Sequence, residues 1–372
     1  MAEKQLRIAM LGQKHVLSRE GGIEIVVKEL ATRMVDRGHQ VTCYDRSTHH
    51  VSGVEMQKRS VYKGVKIIPV WTIEKKGLAA MTSSISAAIS AAWGTYDVVH
   101  IHAEGPAAMC WLPKLYHKRV IVTIHGLDWA RAKWGGFAKK YIKWGEKQAA
   151  EKADEIIVLS RGIQEYFQKT YSRNTVFIPN GVNRPEIREA REIKKLWGLE
   201  KDSYVLFLGR IVPEKGLLYL LEAWKNIKTD KKLVIAGGSS DTEEFMNELK
   251  TMAGDSVIFT GFQQGRVLEE LFSNCYIYCL PSDLEGMPLS LLEAMSYGNC
   301  CIVSDIDECT EVVEDKAACF LHGSVEDLRE KMQRLLDKPE LVADYRKGVA
   351  DFICTKYNWD DVTDRIIKLY MG

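Results

Sequence analysis

Short apolar, β-branched runs alternate with longer helix-like segments along the whole chain, and the alternation starts over near its middle. Residues 7–11, 40–44, 65–70, 97–102, 120–124, 155–160 and 175–179 form one series of runs. Residues 204–208, 232–236, 257–260, 276–280 and 301–304 form the other. Most runs are apolar at odd and even positions alike, so each strand needs cover on both faces, as in a parallel sheet flanked by helices. Ile23, Val26, Val27, Leu30 and Met34 show the helical spacing expected between strands. Polar, charged residues 180–199 separate the two series, and 372 residues suit two cores better than one. The expectation is an α/β chain of two Rossmann-like, doubly wound parallel-sheet domains, 1–183 and 184–356, facing across a cleft.

Charge and cysteine usage narrow the function classes. Fifty-one Lys and Arg against 50 Asp and Glu give a net charge of +1, which argues against a nucleic-acid partner. The nine cysteines are scattered, odd in number and without zinc-type spacing, so reduced thiols are expected. The N-terminus enters a strand at once, without a signal-peptide layout. No apolar run approaches the roughly 18 residues of a membrane span, and residues 81–93, rich in Ser and Ala, read as a packed helix. A soluble, cytoplasmic protein is expected.

The densest polar pattern is LPSDLEGMPLSLLEAMSY at 280–297. It ends a strand, crosses a turn and becomes a helix. Pro288 suits a first helical turn, where its missing N–H costs nothing. The backbone N–H groups of Met287, Leu289 and Ser290 then point outward at the positive end of the helix dipole, which attracts phosphate. Glu285 stands before this helix and Glu293 within it; two carboxylates beside an anion site make sense if each binds something else, such as sugar hydroxyls. Spacing alone is equally consistent with a solvated acidic loop before a surface helix.

Ligands of doubly wound sheets gather at the carboxyl ends of strands, and the other conspicuous polar residues fall there. Gly21 and Gly22 follow the first strand and open its helix, but without G-x-G-x-x-G spacing, which argues against a dinucleotide-dependent dehydrogenase. His125 ends the run 120–124, where a histidine is structural or donates a hydrogen bond to a ligand. His100 and His102 share one face of their strand and read as core or cleft-lining residues rather than metal ligands. Arg210 and Lys215, in GRIVPEKG, form a basic loop able to clamp a diphosphate. Asp305 and Asp307 spell a D-x-D string far from where a metal site would use it.

Together these residues resemble the family-4 retaining glycosyltransferases of the GT-B fold. The resemblance runs through GGIE (21–24), TIHGLDW (123–129), IPNGVN (178–183), GRIVPEKG (209–216) and EGMPLSLLE (285–293), and spans nearly the whole chain. It implies that Arg210 and Lys215 grip the donor diphosphate with backbone N–H groups of Gly22, Leu289 and Ser290. It further implies that Glu293 binds the ribose, that Glu285 and His125 are catalytic at the donor sugar, and that residues 260–262 hold the base. The first domain would bind the acceptor and the second the nucleotide sugar, with a last helix in 357–372 crossing back to the first. No metal and no cofactor are implied beyond the nucleotide-diphosphate sugar as co-substrate. The acceptor would be a saccharide or polyprenyl-linked saccharide of surface-polysaccharide assembly. Residues 131–147 add an anionic membrane surface as a partner: Arg131, Lys133, Lys139, Lys140, Lys143 and Lys147 are interleaved with Trp134, Phe137, Tyr141 and Trp144, against the single acid Glu146. Rival functions are a nucleotide-sugar epimerase of the same fold and a non-catalytic sugar-nucleotide-binding protein.

Overall fold

A computed structural model describes residues 4–47, 60–75, 78–130, 135–238 and 243–372. The chain divides into two compact units, Met1–Asn180 with Trp359–Gly372, and Gly181–Asn358. The sequence expectation put the first boundary at 183 and the return at 357. Val182 N donates to Tyr357 O at 2.7 Å and Val182 bridges to Asn358, which ties these residues to the second unit.

The first unit holds strands β1 (Arg7–Leu11), β2 (Gln40–Arg46), β3 (Val61–Tyr62), β4 (Val65–Val70), β5 (Val98–His102), β6 (Arg119–Ile124), β7 (Glu155–Val158) and β8 (Val176–Phe177). Their order is β3-β4-β2-β1-β5-β6-β7-β8, parallel except for the β3–β4 hairpin. The chain winds outward from β1, then returns to β1's other edge as β5, so the switch of direction lies between β1 and β5. Every residue of β5 is buried, histidines included. The helix Gly22–Asp36 buries Val26, Val27, Leu30, Ala31 and Met34, the stripe expected from its 3.6-residue period.

The last helix, Trp359–Met371, belongs to this unit. It buries Trp359, Val362, Ile366, Ile367 and Tyr370, and burying such side chains contributes about 1.5–3 kcal/mol each before entropy. Arg37 donates to Asp364 at 2.6 Å and Asp360 at 3.0 Å, exposed pairs that fix register more than they add stability.

The second unit holds β9 (Tyr204–Leu208), β10 (Lys232–Ala236), β11 (Val257–Gly261), β12 (Ile277–Leu280), β13 (Cys300–Ser304) and β14 (Ala318–Phe320), all parallel, in the order β11-β10-β9-β12-β13-β14. Here the switch lies between β9 and β12. The loops leaving those two strands are therefore the sides of a crevice at their carboxyl ends. All nine cysteines are free and at least half-buried. Among the described residues no helix is long and apolar enough to cross a membrane.

Candidate active site

In the second unit, the crevice between β9 and β12 gathers the sequence-predicted residues. Arg210 and Lys215 lie on the loop after β9; Glu285, Leu289, Ser290 and Glu293 follow β12. Asp283 N donates to Glu214 O at 2.9 Å, bracing one loop against the other. Gly216 makes the approach possible: its φ is +66°, and a Cβ there would collide with the carbonyl oxygen of Pro281.

The direct contact is between Lys215 and Glu285. Lys215 Nζ donates to Glu285 Oε1 at 2.5 Å, with side-chain exposures of 12% and 9%. Ser282 Oγ donates to the same oxygen at 2.7 Å, and Ser304 Oγ, on β13, donates to Ser282 O at 2.6 Å. An ion pair so largely withdrawn from water needs such extra bonds to offset the lost hydration. Lys215 has three N–H donors, so holding Glu285 leaves donors for an anion.

The helix after β12 spans Leu289–Ser296. Pro288 stands before it with ψ of 95°, as the capping residue rather than within the first turn, and its carbonyl accepts from Leu291 N at 3.0 Å and Leu292 N at 3.2 Å. The Leu289 and Ser290 amides precede those bonds and have no acceptor within the helix. Tyr278, fully buried on β12, fixes the Ser290 side chain: its hydroxyl lies 2.8 Å from Ser290 Oγ and donates to Leu208 O at 3.2 Å. Sequence reasoning missed Ser282, Tyr278 and Ser304. Only Ser282, three residues before Glu285 in the same loop, had a local signal. The D-x-D string is used structurally, since Asp305 Oδ1 accepts from His322 N at 2.7 Å and Asp307 opens the helix Asp307–Val313.

In the first unit, Gly21 caps the helix that Gly22 begins, at the end of β1. Glu24 turns back from that helix and accepts from Lys14 N at 2.8 Å. His125 follows β6, and its Nε2 lies 3.1 Å from Nδ1 of His102, the last residue of β5. Both ring nitrogens of His100 are engaged, Nδ1 with Tyr370 OH at 2.6 Å and Nε2 with Thr123 Oγ1 at 2.7 Å. Burial pushes the His100 imidazole down to about 3 and that of His102 well below its usual range, with neighbouring histidines adding to both.

The segment after His125 is pinned by two fully buried acids that sequence reasoning did not single out as a pair. Glu146 accepts from Trp129 Nε1 at 3.0 Å, Tyr166 OH at 2.8 Å and Tyr171 OH at 2.5 Å. Glu104 accepts from Asp128 N at 2.7 Å. Burial, then Asp128 and Glu146, raise the Glu104 carboxyl well above the ordinary carboxylate range. Gly145 lets the helix Gly136–Lys152 close on the short helix Glu104–Ala107, where a Cβ would collide with Glu104 O.

The membrane-facing expectation falls partly on Arg131, Lys133 and Trp134, which lie outside the described residues. On the helix Gly136–Lys152, Phe137 is 79% exposed and Trp144 44% exposed. Lys139, Lys140, Lys143 and Lys147 are exposed beside them.

Residues 20–184 match the family model described as Glycosyltransferase Family 4, and residues 189–352 match Glycosyl transferases group 1. An uncharacterized glycosyltransferase of Methanocaldococcus jannaschii is 24% identical over 400 residues, covering 98% of each chain. The UDP-Gal:alpha-D-GlcNAc-diphosphoundecaprenol alpha-1,3-galactosyltransferase of Escherichia coli is 30% identical over 252 residues, covering 61% of this chain and 62% of that one. Among solved structures, sucrose-phosphate synthase from Thermosynechococcus elongatus matches with a TM-score of 0.82 at 20% identity, over 99% of this chain and 98% of that one. The fold is therefore GT-B. With both halves matched in order and the two sheets wound as that fold requires, the chain belongs to the family-4 glycosyltransferases.

Proposed function

We propose that this glycosyltransferase is a retaining, metal-independent enzyme. It would move a sugar from a nucleotide-diphosphate sugar to a saccharide or polyprenyl-linked acceptor in surface-polysaccharide or related glycan synthesis. One observation carries the reading: the nearly buried Lys215–Glu285 pair lies in the β9–β12 crevice, whose β12 side continues into the open first turn of the helix Leu289–Ser296. Departure of a nucleoside diphosphate concentrates negative charge on phosphate, and a cation with a helix N-terminus holds that charge more firmly as it develops. In this reading Arg210 and Lys215 bind the diphosphate with the amides of Gly22, Leu289 and Ser290. Glu293 takes the ribose hydroxyls, while Glu285 and His125 attend the sugar. The two cations and the helix terminus neutralise the phosphates, so the proposal needs no metal. The name of the E. coli relative, which includes a UDP-sugar and a diphosphoundecaprenol-linked saccharide, supports the donor and acceptor classes.

The test is a panel of nucleotide sugars offered with polyprenyl-diphosphate-linked saccharides, with and without EDTA. Transfer that survives EDTA and keeps the donor's anomeric configuration is expected. Inversion would sink retention, and loss of transfer in EDTA would sink metal independence. Conversion of the free nucleotide sugar without acceptor would favour the epimerase.

The exposed face of the helix Gly136–Lys152 supports peripheral binding to an anionic membrane from the cytoplasmic side, where each surface cation contributes about 1 kcal/mol. The protein should co-sediment with vesicles containing phosphatidylglycerol and less with purely zwitterionic ones. Replacing Phe137 and Trp144 by Ala should weaken that binding. Equal sedimentation with both lipids would remove this partner.

A further inference from the structure

The first unit carries a chain of rings that the proposed reaction does not yet use. His100 is clamped between Tyr370 OH and Thr123 Oγ1, and its ring lies 4.1 Å from that of His102, tilted by 32°. His102 is fully buried, and its Nε2 has no hydrogen-bond partner among the described residues. Its Nδ1 lies 3.1 Å from His125 Nε2. Two ring nitrogens at that distance share one proton.

Where that proton sits follows from the buried nitrogen. A neutral His102 has a single N–H. If it were on Nε2, a buried donor would have no acceptor, the rarer and costlier defect. On Nδ1 it is donated to His125 Nε2. His125 must then carry its own proton on Nδ1. Adding a second proton at Nε2 would set two N–H groups against each other. Protonation would therefore force His102 into the tautomer with a stranded donor.

We propose that His102 is a positioning residue for His125: by donating Nδ1–H to His125 Nε2, it holds that imidazole neutral, in one orientation, with its proton on Nδ1. A neutral ring so held offers a directed donor to a sugar oxygen without repelling the cations that grip the diphosphate. The proposal rests on the reading of His125 as a group that meets the donor sugar. The titratable groups acting on His102 are His100 and His125; Tyr370 and Thr123 act through His100.

Tautomers can be read directly by long-range 1H–15N spectra of the labelled full-length protein, with His125 assigned through His125→Asn. The wild type should show His125 as the Nδ1–H form at pH 7. In His102→Leu the Nε2–H form should dominate, and His125 should take up a proton at a higher pH than in the wild type. His102→Asn, whose amide N–H can occupy the place of Nδ1–H, should restore the wild-type pattern. Turnover in His102→Leu should fall about 10–100-fold with the donor KM little changed, and recover in His102→Asn. An Nε2–H His125 in the wild type, or the same spectrum in His102→Leu, would overturn the proposal. If His102→Leu does not fold, the wild-type tautomer and His102→Asn still decide it. Unimpaired transfer by His125→Asn would instead refute the role of His125, leaving the tautomer result intact.

Discussion

Glu285→Gln lowers turnover by roughly 10²–10³, the scale of losing one preorganised electrostatic contact in the transition state. The amide keeps the shape of the side chain and one oxygen for Ser282 and Lys215, but removes the negative charge that Lys215 faces at 2.5 Å. Because Lys215 is then less committed to residue 285, affinity for the nucleoside diphosphate should hold or tighten while kcat falls. Lys215→Ala gives the opposite division. It leaves a nearly buried carboxylate without its cation and removes a phosphate ligand, so diphosphate binding should weaken about 10–100-fold, as for a charged hydrogen bond of about 1.5–3 kcal/mol. Steady-state transfer with calorimetric titration of the nucleoside diphosphate separates the two. Near-normal transfer by Glu285→Gln would end the case for its role at the sugar.

Removing Glu146 should be the most destabilising single change in the first unit. Glu146→Ala strands the Trp129 indole and the hydroxyls of Tyr166 and Tyr171, for a loss of roughly 3–5 kcal/mol. Hydrogen exchange resolved along the chain is the appropriate measurement, because two units need not unfold as one. Amides of β6 and the helix Arg161–Tyr171 should lose protection while those of β9 and β12 keep theirs. Wild-type protection throughout would show the three donors to be satisfied without Glu146. Glu104 adds a pH signature. Its folded carboxyl binds a proton that the unfolded chain releases near the ordinary glutamate value of 4.5. The native state thus holds more protons above that pH, and the first unit loses stability as pH rises toward the folded value. Glu104→Gln should flatten that slope; an unchanged slope would place its origin elsewhere.

The strands were legible because two-face burial leaves almost every position apolar, as in β9 and β12. The two strands that escaped notice, β3 and β14, are two and three residues long. The loops of the second-unit site were legible as motifs. The bond between Lys215 and Glu285 was not, because 70 residues separate them and only the β9–β12 adjacency brings them together. Residues 136–152 show why a charge count misleads. Read along the chain, Glu146 is a lone acid among lysines. Read around the helix, Ile142, Gly145, Glu146, Ala149 and Ala150 are the buried face, and Phe137 and Trp144 are off it. Small residues on the inner face hide the amphipathicity that large ones would advertise.

The return of the helix Trp359–Met371 to the first unit has a bearing on how the protein is made. Ribosomes emit residues at about 5–20 per second, so everything from 181 to 358 must appear first, roughly 10–35 s of waiting. Until then the nascent first sheet has no Tyr370 beside His100 and no Leu369 carbonyl for Arg119, which donates to it at 2.9 Å. Any fragment that stops before Trp359 is left permanently in that state, with buried polar groups of β5 and β6 open to water. Expression of the first unit for binding studies should therefore append the final helix through a linker rather than truncate the gene.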